Sequence, residues 1–163
     1  MKKFELTTES IETVSGEKLF RIKALVSFDA VEAGELGGYV EKEENLSHEG
    51  NAWVYDNAQV CGNVWVYGDA WVYGDAWVCG DADIYDNSQK SSVDGFGSEN
   101  RTTTFFREKS GGVGVKCGCF YGTLDEFREK VRKTHGDSEI AQEYLAIADV
   151  EERRFKRVAK KGE

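Results

Sequence analysis

Between residues 52 and 88 the chain repeats a unit of six. Val54, Val60, Val66, Val72, Val78 and Ile84 stand six apart, and Ala52, Ala58, Val64, Ala70, Ala76, Ala82 and Ser88 keep the same step two places ahead. Between the units lie Asp56-Asn57, Gly62-Asn63, Gly68-Asp69, Gly74-Asp75, Gly80-Asp81 and Asp86-Asn87. Such pairs tolerate turn conformations that bulkier residues resist. Each unit therefore reads as a very short strand followed by a corner. One short strand cannot bury its apolar face alone, but stacked copies can. Val40 and Leu46 show the same step, so a degenerate first coil is expected from about residue 39.

Elsewhere the pattern is different. Residues 18–28, KLFRIKALVSF, alternate partly, with Phe20, Ile22 and Ala24 on one face of a strand. Gly34, Gly37 and Gly38 read as turns. Beyond residue 88 the six-residue period stops, and SQKSSVDGFGSEN is polar enough to be a linker. Residues 101–122 predict a β-hairpin with arms 102–107 and 113–121, Val113, Val115, Cys117, Cys119 and Tyr121 sharing a face. At 123 the period becomes helical. Thr123 and Glu126 form a capping box, Leu124, Phe127 and Val131 form a stripe, and Gly136 is a stop. Asp137 is placed to cap a second helix with Ile140, Ala141, Tyr144, Leu145 and Ala148 on its apolar face. The expected segments are an N-terminal β cap (1–38), the repeat (39–90), a linker and hairpin (91–122), and a helical hairpin with a basic tail (123–163).

The hexads resemble the hexapeptide repeat of left-handed parallel β-helices. The resemblance implies three hexads per coil, aliphatic residues inside a triangular prism, and left-handed crossovers, an exception to the usual rule. The expected fold is mainly β: a short left-handed parallel β-helix with N-terminal strands, a C-terminal β-hairpin and a terminal αα-hairpin. Residues 18 apart would then stack about 4.8 Å apart. Trp53 would lie over Trp71, Tyr55 over Tyr73, Cys61 over Cys79, Tyr67 over Tyr85 and Trp65 over Asp83. Residues flanking an inward valine point outward. The interior is thus expected to be Val and Ala, and Trp53, Tyr55, Trp71 and Tyr73 an oligomer interface. Stacking on a planar ligand and cover by the chain's own termini are the other readings of that surface. LFRIKAL, AGELGGYVEKEENLSHEGNAWVY and CGCFYGTLDEFREKVRKTHG further resemble a family of small, mostly uncharacterised phage and prophage proteins. That resemblance implies a host bacterial cytoplasm and no particular activity.

The 163 residues include no proline and carry a net charge of −9, which argues against a general nucleic-acid binder. From Arg153 onward the balance reverses, with Arg153, Arg154, Lys156, Arg157, Lys160 and Lys161 against Glu163. That tail is either a helix end complementing its dipole or a site for phosphate or a partner. No apolar run approaches a membrane span, and MKKFELTTES has no apolar core of a signal peptide. Four cysteines then suit a reducing compartment. No P-loop, dinucleotide fingerprint or catalytic triad is present, and no metal site or cofactor is expected. Acyl transfer, the chemistry of many hexapeptide-repeat enzymes, would have to use His48 or His135. The densest polar and aromatic cluster is residues 100–109. Arg101, Thr103, Phe105 and Arg107, with Lys116 across the hairpin, suit a phosphate-bearing small molecule. The reading of the whole is a non-catalytic homo-oligomer, trimer or higher. Its partner would be a host molecule, either a defence protein or a nucleotide immune signal held as if by a sponge. A purely structural phage accessory protein is the alternative, and an acyltransferase the third.

Overall fold

A computed structural model describes residues 1–158. It is mainly β, with a pair of helices near the C-terminus, and divides into two units, Met1–Asn87 and Ser88 onward. Lys160, Lys161 and Glu163 of the basic tail lie outside the described residues.

In the first unit, β1 (Phe4–Glu12) and β2 (Lys18–Ala24) pair antiparallel, and β2 pairs antiparallel with β3 (Leu36–Val40). Six two-residue strands follow: β4 (Trp53–Val54), β5 (Gln59–Val60), β6 (Trp65–Val66), β7 (Trp71–Val72), β8 (Trp77–Val78) and β9 (Asp83–Ile84). They pair in parallel at a step of 18 residues, Trp53 with Trp71, Gln59 with Trp77, and Trp65 with Asp83. The step arises because every third hexad returns to the same ladder. Val54, Val60, Val66, Val72, Val78 and Ile84 are fully buried, as are the alanines two places ahead of them. The inward set is therefore the modest aliphatic one.

Two of the corners need glycine for two reasons. Gly62 and Gly68 have φ of 70° and 66°, in the left-handed region. A Cβ on Gly62 would also stand 2.8 Å from Gly80 O, and one on Gly68 2.6 Å from Tyr85 O. The earliest turn is longer than the rest. Val40 pairs with Val60, and Leu46 bridges Val66, both at a step of 20. Two residues are thus inserted between Leu46 and Val54, where Gly50 takes φ 72°.

Trp53 departs from the outward pattern. Its side chain is fully buried, with Phe28 at 5.3 Å and Phe4 at 6.3 Å, both edge-on. The N-terminal strands fold over this row, and Gly37 and Gly38 let β3 approach. A Cβ on Gly37 would lie 2.6 Å from Val54 O and 2.8 Å from Trp53 Cζ2. Lys3 is buried with it. Its Nζ donates to Ala52 O at 2.7 Å and lies 4.6 Å from the Phe28 ring.

The second unit is a four-stranded antiparallel meander of β10 (Lys90–Phe96), β11 (Arg101–Arg107), β12 (Val113–Cys117) and β13 (Phe120–Thr123). The expected linker and hairpin are corrected twice. Residues 90–96 form a strand whose weakly β-prone serines and aspartate are held by pairing with β11. The second arm breaks at Gly118, φ 59°, so that Cys117 pairs with Phe120 around a two-residue turn. Cys119 sits in that turn, exposed, and does not share a strand face with Val115.

Helix α1 (Leu124–His135) starts at the Thr123–Glu126 capping box and stops at Gly136. Helix α2 (Glu139–Arg157) is capped by Ser138 Oγ, accepting from the Ala141 N–H, rather than by Asp137. Arg128 of α1 ties the helices together through Asp149 and Glu152. Phe105, Val115, Leu124, Phe127, Val131, Ala141, Tyr144, Ala148 and Phe155 form the core.

Candidate functional site

Within the second unit a pocket of about 190 Å³ opens between the sheet turns and the helices. The α1 face supplies Phe127, Lys130, Val131, Thr134 and His135, which follow the i, i+3, i+4, i+7, i+8 spacing of one helical side. The β12–β13 turn adds Cys117 and Phe120, β11 adds Arg101, and α2 adds Tyr144. The aromatic rings run in series. Phe120 is 5.8 Å from Phe127, Phe127 is 5.6 Å from Tyr144, and Tyr144 is 6.1 Å from His135.

Two glycines let the polar groups reach this position. A Cβ on Gly97 would collide with Tyr144 Oη, and one on Gly118 with the Arg101 guanidinium. Tyr144 Oη donates to Phe96 O at 3.4 Å. Burial first, and then the neighbouring Cys117, push its pKa up to about 12, so it stays neutral and able to donate. The Cys117 thiol accepts from Thr103 Oγ1 at 3.2 Å. Arg101 is ion-paired with Glu99, whose hydrogen bond raises the guanidinium pKa further.

Of the five expected ligand residues, only Arg101 lines the pocket. Thr103 and Phe105 share its strand face but are fully buried under the helices, with Phe105 edge-on to Phe127. Arg107 donates to Phe155 O and Val158 O, at 2.5 and 2.8 Å, and to Gly111 O. It satisfies the end of α2, where carbonyls lack intrahelical partners. Lys116 pairs in register with Thr104, so it belongs to the opposite face from Thr103 and Phe105, and it is buried. A cluster contiguous in sequence is thus split by strand alternation and register. The sequence does not single out Lys130, offers His135 only for acyl transfer, and offers Tyr144 only as part of an apolar helix face. Their signal was polar residues flanking the apolar stripe of α1, together with a tyrosine on the apolar face of α2.

The other candidates are placed as follows. His48 stacks on Phe4 at 4.3 Å and accepts from the Lys3 N–H through Nδ1. That bond makes Nε2 the protonated nitrogen, and Nε2 donates to Glu43 at 2.8 Å. Both ring nitrogens are therefore engaged, and the Glu43 carboxyl is held below its ordinary range by His48 and then Lys2. Of the expected interface residues, Trp53 is buried, Tyr55 is half-buried against Trp71, and Trp71 and Tyr73 are 37% and 50% exposed. On another row Trp65 is exposed and stacks on Tyr67 at 4.0 Å. Cys61 and Cys79 are buried free thiols. Trp77 Nε1 donates to Cys61 Sγ at 3.3 Å, and the Cys61 pKa is lowered, first by its hydrogen bond with Cys79.

Charge is divided unevenly. Residues 1–87 carry 17 acidic and 6 basic residues, net −11, whereas residues 88–163 carry 13 and 15, net +2. Among the described residues no helix is long and apolar enough to cross a membrane. No protein-family model and no curated protein matches the chain.

Proposed function

We propose that the chain is a non-catalytic binding protein whose C-terminal unit takes a small ring-bearing anion. One observation carries the reading: Arg101, Lys130 and His135 converge on a pocket lined by Phe120, Phe127 and Tyr144. Aromatic walls bind a ring through burial and edge or face contacts, while cations fix the orientation of a carboxylate or phosphate. The pocket volume equals about six water molecules in the liquid, room for one ring and its charged group. In a phage setting, one ring or phosphate of a nucleotide immune signal would enter it. The engagement of both His48 ring nitrogens disfavours acyl transfer by that residue.

The hexad unit serves, on this reading, as the platform. Its 18-residue parallel register supports the finer description, a left-handed triangular β-helix. The exposed Trp71 and Tyr73 offer a surface for self-association into a trimer or higher oligomer.

Calorimetry of the whole chain against nucleoside monophosphates, cyclic dinucleotides and acetyl-coenzyme A tests the ligand reading. Binding of a nucleotide that Lys130→Gln weakens is the expected result. Absence of heat from every nucleotide at millimolar concentration removes nucleotides as the pocket's ligand. Light scattering tests the platform: an oligomer that Trp71→Ser with Tyr73→Ser disperses is expected, and a monomer at micromolar concentration refutes it.

A further inference from the structure

The pocket already contains an anion of the chain's own. Glu99 and Arg101 both line it and are ion-paired with each other. Only Asn100 separates them, and Asn100 takes φ 52°, in the left-handed region that closes the β10–β11 turn. The turn therefore carries a carboxylate back onto the guanidinium. Both side chains are substantially exposed, Glu99 at 66% and Arg101 at 39%, so the pair is exchangeable rather than locked in the core. Lys130 lies in the same lining and, among the described residues, makes no ion pair. Two cations thus share the lining with one internal carboxylate, and His135 lines the same pocket.

We propose that the pocket's ligand is a monocyclic aromatic carboxylate or phosphate monoester whose anionic group takes the place of Glu99 on Arg101, Glu99 being an internal competitor for that position. The proposal rests on the ligand-binding reading above. A carboxylate is the group that already satisfies Arg101, and a planar guanidinium accepts carboxylate and phosphate oxygens in the same forked manner. The ring of such a ligand fits against Phe120, the half-buried aromatic of this lining, with the buried rings of Phe127 and Tyr144 in series with it. Lys130 supplies the second cation, which Glu99 does not engage. Binding is then an exchange of one carboxylate for another anion, with ring burial providing the surplus.

The test is calorimetry on the full chain with two probes that share a ring, benzoate and phenyl phosphate. Glu99→Gln removes the competitor while keeping the turn's size. Because an exposed pair contributes little, affinity for the preferred probe should rise about two- to fivefold at low salt, and the gain should shrink in 0.5 M salt. Arg101→Gln should weaken the same probe at least about tenfold. Asp94→Asn removes an equal charge from an exposed position of β10 outside the pocket and should leave affinity unchanged. Tighter binding of benzoate alone assigns a carboxylate ligand, and of phenyl phosphate alone a phosphate monoester. If a probe binds and Arg101→Gln weakens it while Glu99→Gln does not tighten it, the exchange is refuted and the ligand reading stands. If neither probe binds wild type or Glu99→Gln, the exchange is refuted, and the ligand reading falls with it when the nucleotides also give no heat. Far-ultraviolet circular dichroism of each variant confirms that α1 and α2 are intact.

Discussion

Replacing Trp53 by alanine separates two descriptions of the repeat. If the tryptophan rows were all displayed, Trp53→Ala would disturb an interface and leave the fold alone. In the structure Trp53 is fully buried beneath Phe4 and Phe28. A buried tryptophan removes about 200 Å² from water, equivalent to about 5 kcal/mol at about 25 cal/mol per Å². That value is an upper estimate, because an unfolded chain already hides part of its surface. Part of it is also offset within the fold. Trp53 Nε1 is buried with no hydrogen-bond partner among the described residues, and such a donor costs about 1–3 kcal/mol. The net loss expected for Trp53→Ala is therefore about 2–4 kcal/mol. Trp71→Ala, at an exposed position of the same row, should cost less than about 1 kcal/mol. Trp53→Phe keeps a ring and deletes the orphan donor, so it should cost less than half as much as alanine. All four tryptophans lie between residues 53 and 77, so the fluorescence of those remaining reports only on the first unit. Urea unfolding followed at that signal yields the free energies. Equal losses for Trp53→Ala and Trp71→Ala would refute the burial argument.

Three further predictions follow from other buried contacts. Burial lowers the Lys3 pKa from 10.5 to about 8, so between pH 8 and 10 the unfolded chain binds the proton that the folded chain has released. Stability of the first unit should gain a Lys3 contribution as pH rises through that window, seen as a rise of the wild-type urea midpoint relative to that of Lys3→Met; a pH-independent difference would contradict it. Gly37→Ala should destabilise the same unit by about 1–3 kcal/mol, because its Cβ would stand 2.6 Å from Val54 O and 2.7 Å from Ile22 Cγ1; a neutral result in urea unfolding would show that β3 can shift. Arg107→Gln should lower the melting midpoint read from helical circular dichroism, which arises from α1 and α2, and leave benzoate affinity unchanged. The reverse pattern would restore Arg107 as a ligand residue.

The parts of this protein legible in the sequence are those decided by neighbours in the chain. A strand of two residues and a corner occupy one hexad, so the repeat alone specified which aliphatic residues turn inward. Taken with three hexads per turn, it also placed Trp53 beside Trp71 and Trp65 beside Asp83. The Thr123–Glu126 box and the Gly136 stop are equally local, and α1 begins and ends on them. What the sequence left undecided depended on which distant segment covers a face. Outward alternation holds for Trp71 and fails for Trp53 because Phe4 and Phe28, 49 and 25 residues earlier, close over one and not the other. Polar β10 becomes a strand only because β11 supplies its partner. The pocket is the extreme case. Arg101, Lys130, His135 and Tyr144 come from three elements, and no spacing joins them until the meander and the helices pack. Local backbone preference acts over a few residues and is written in sequence order; burial and charge convergence act through space and exist only after folding.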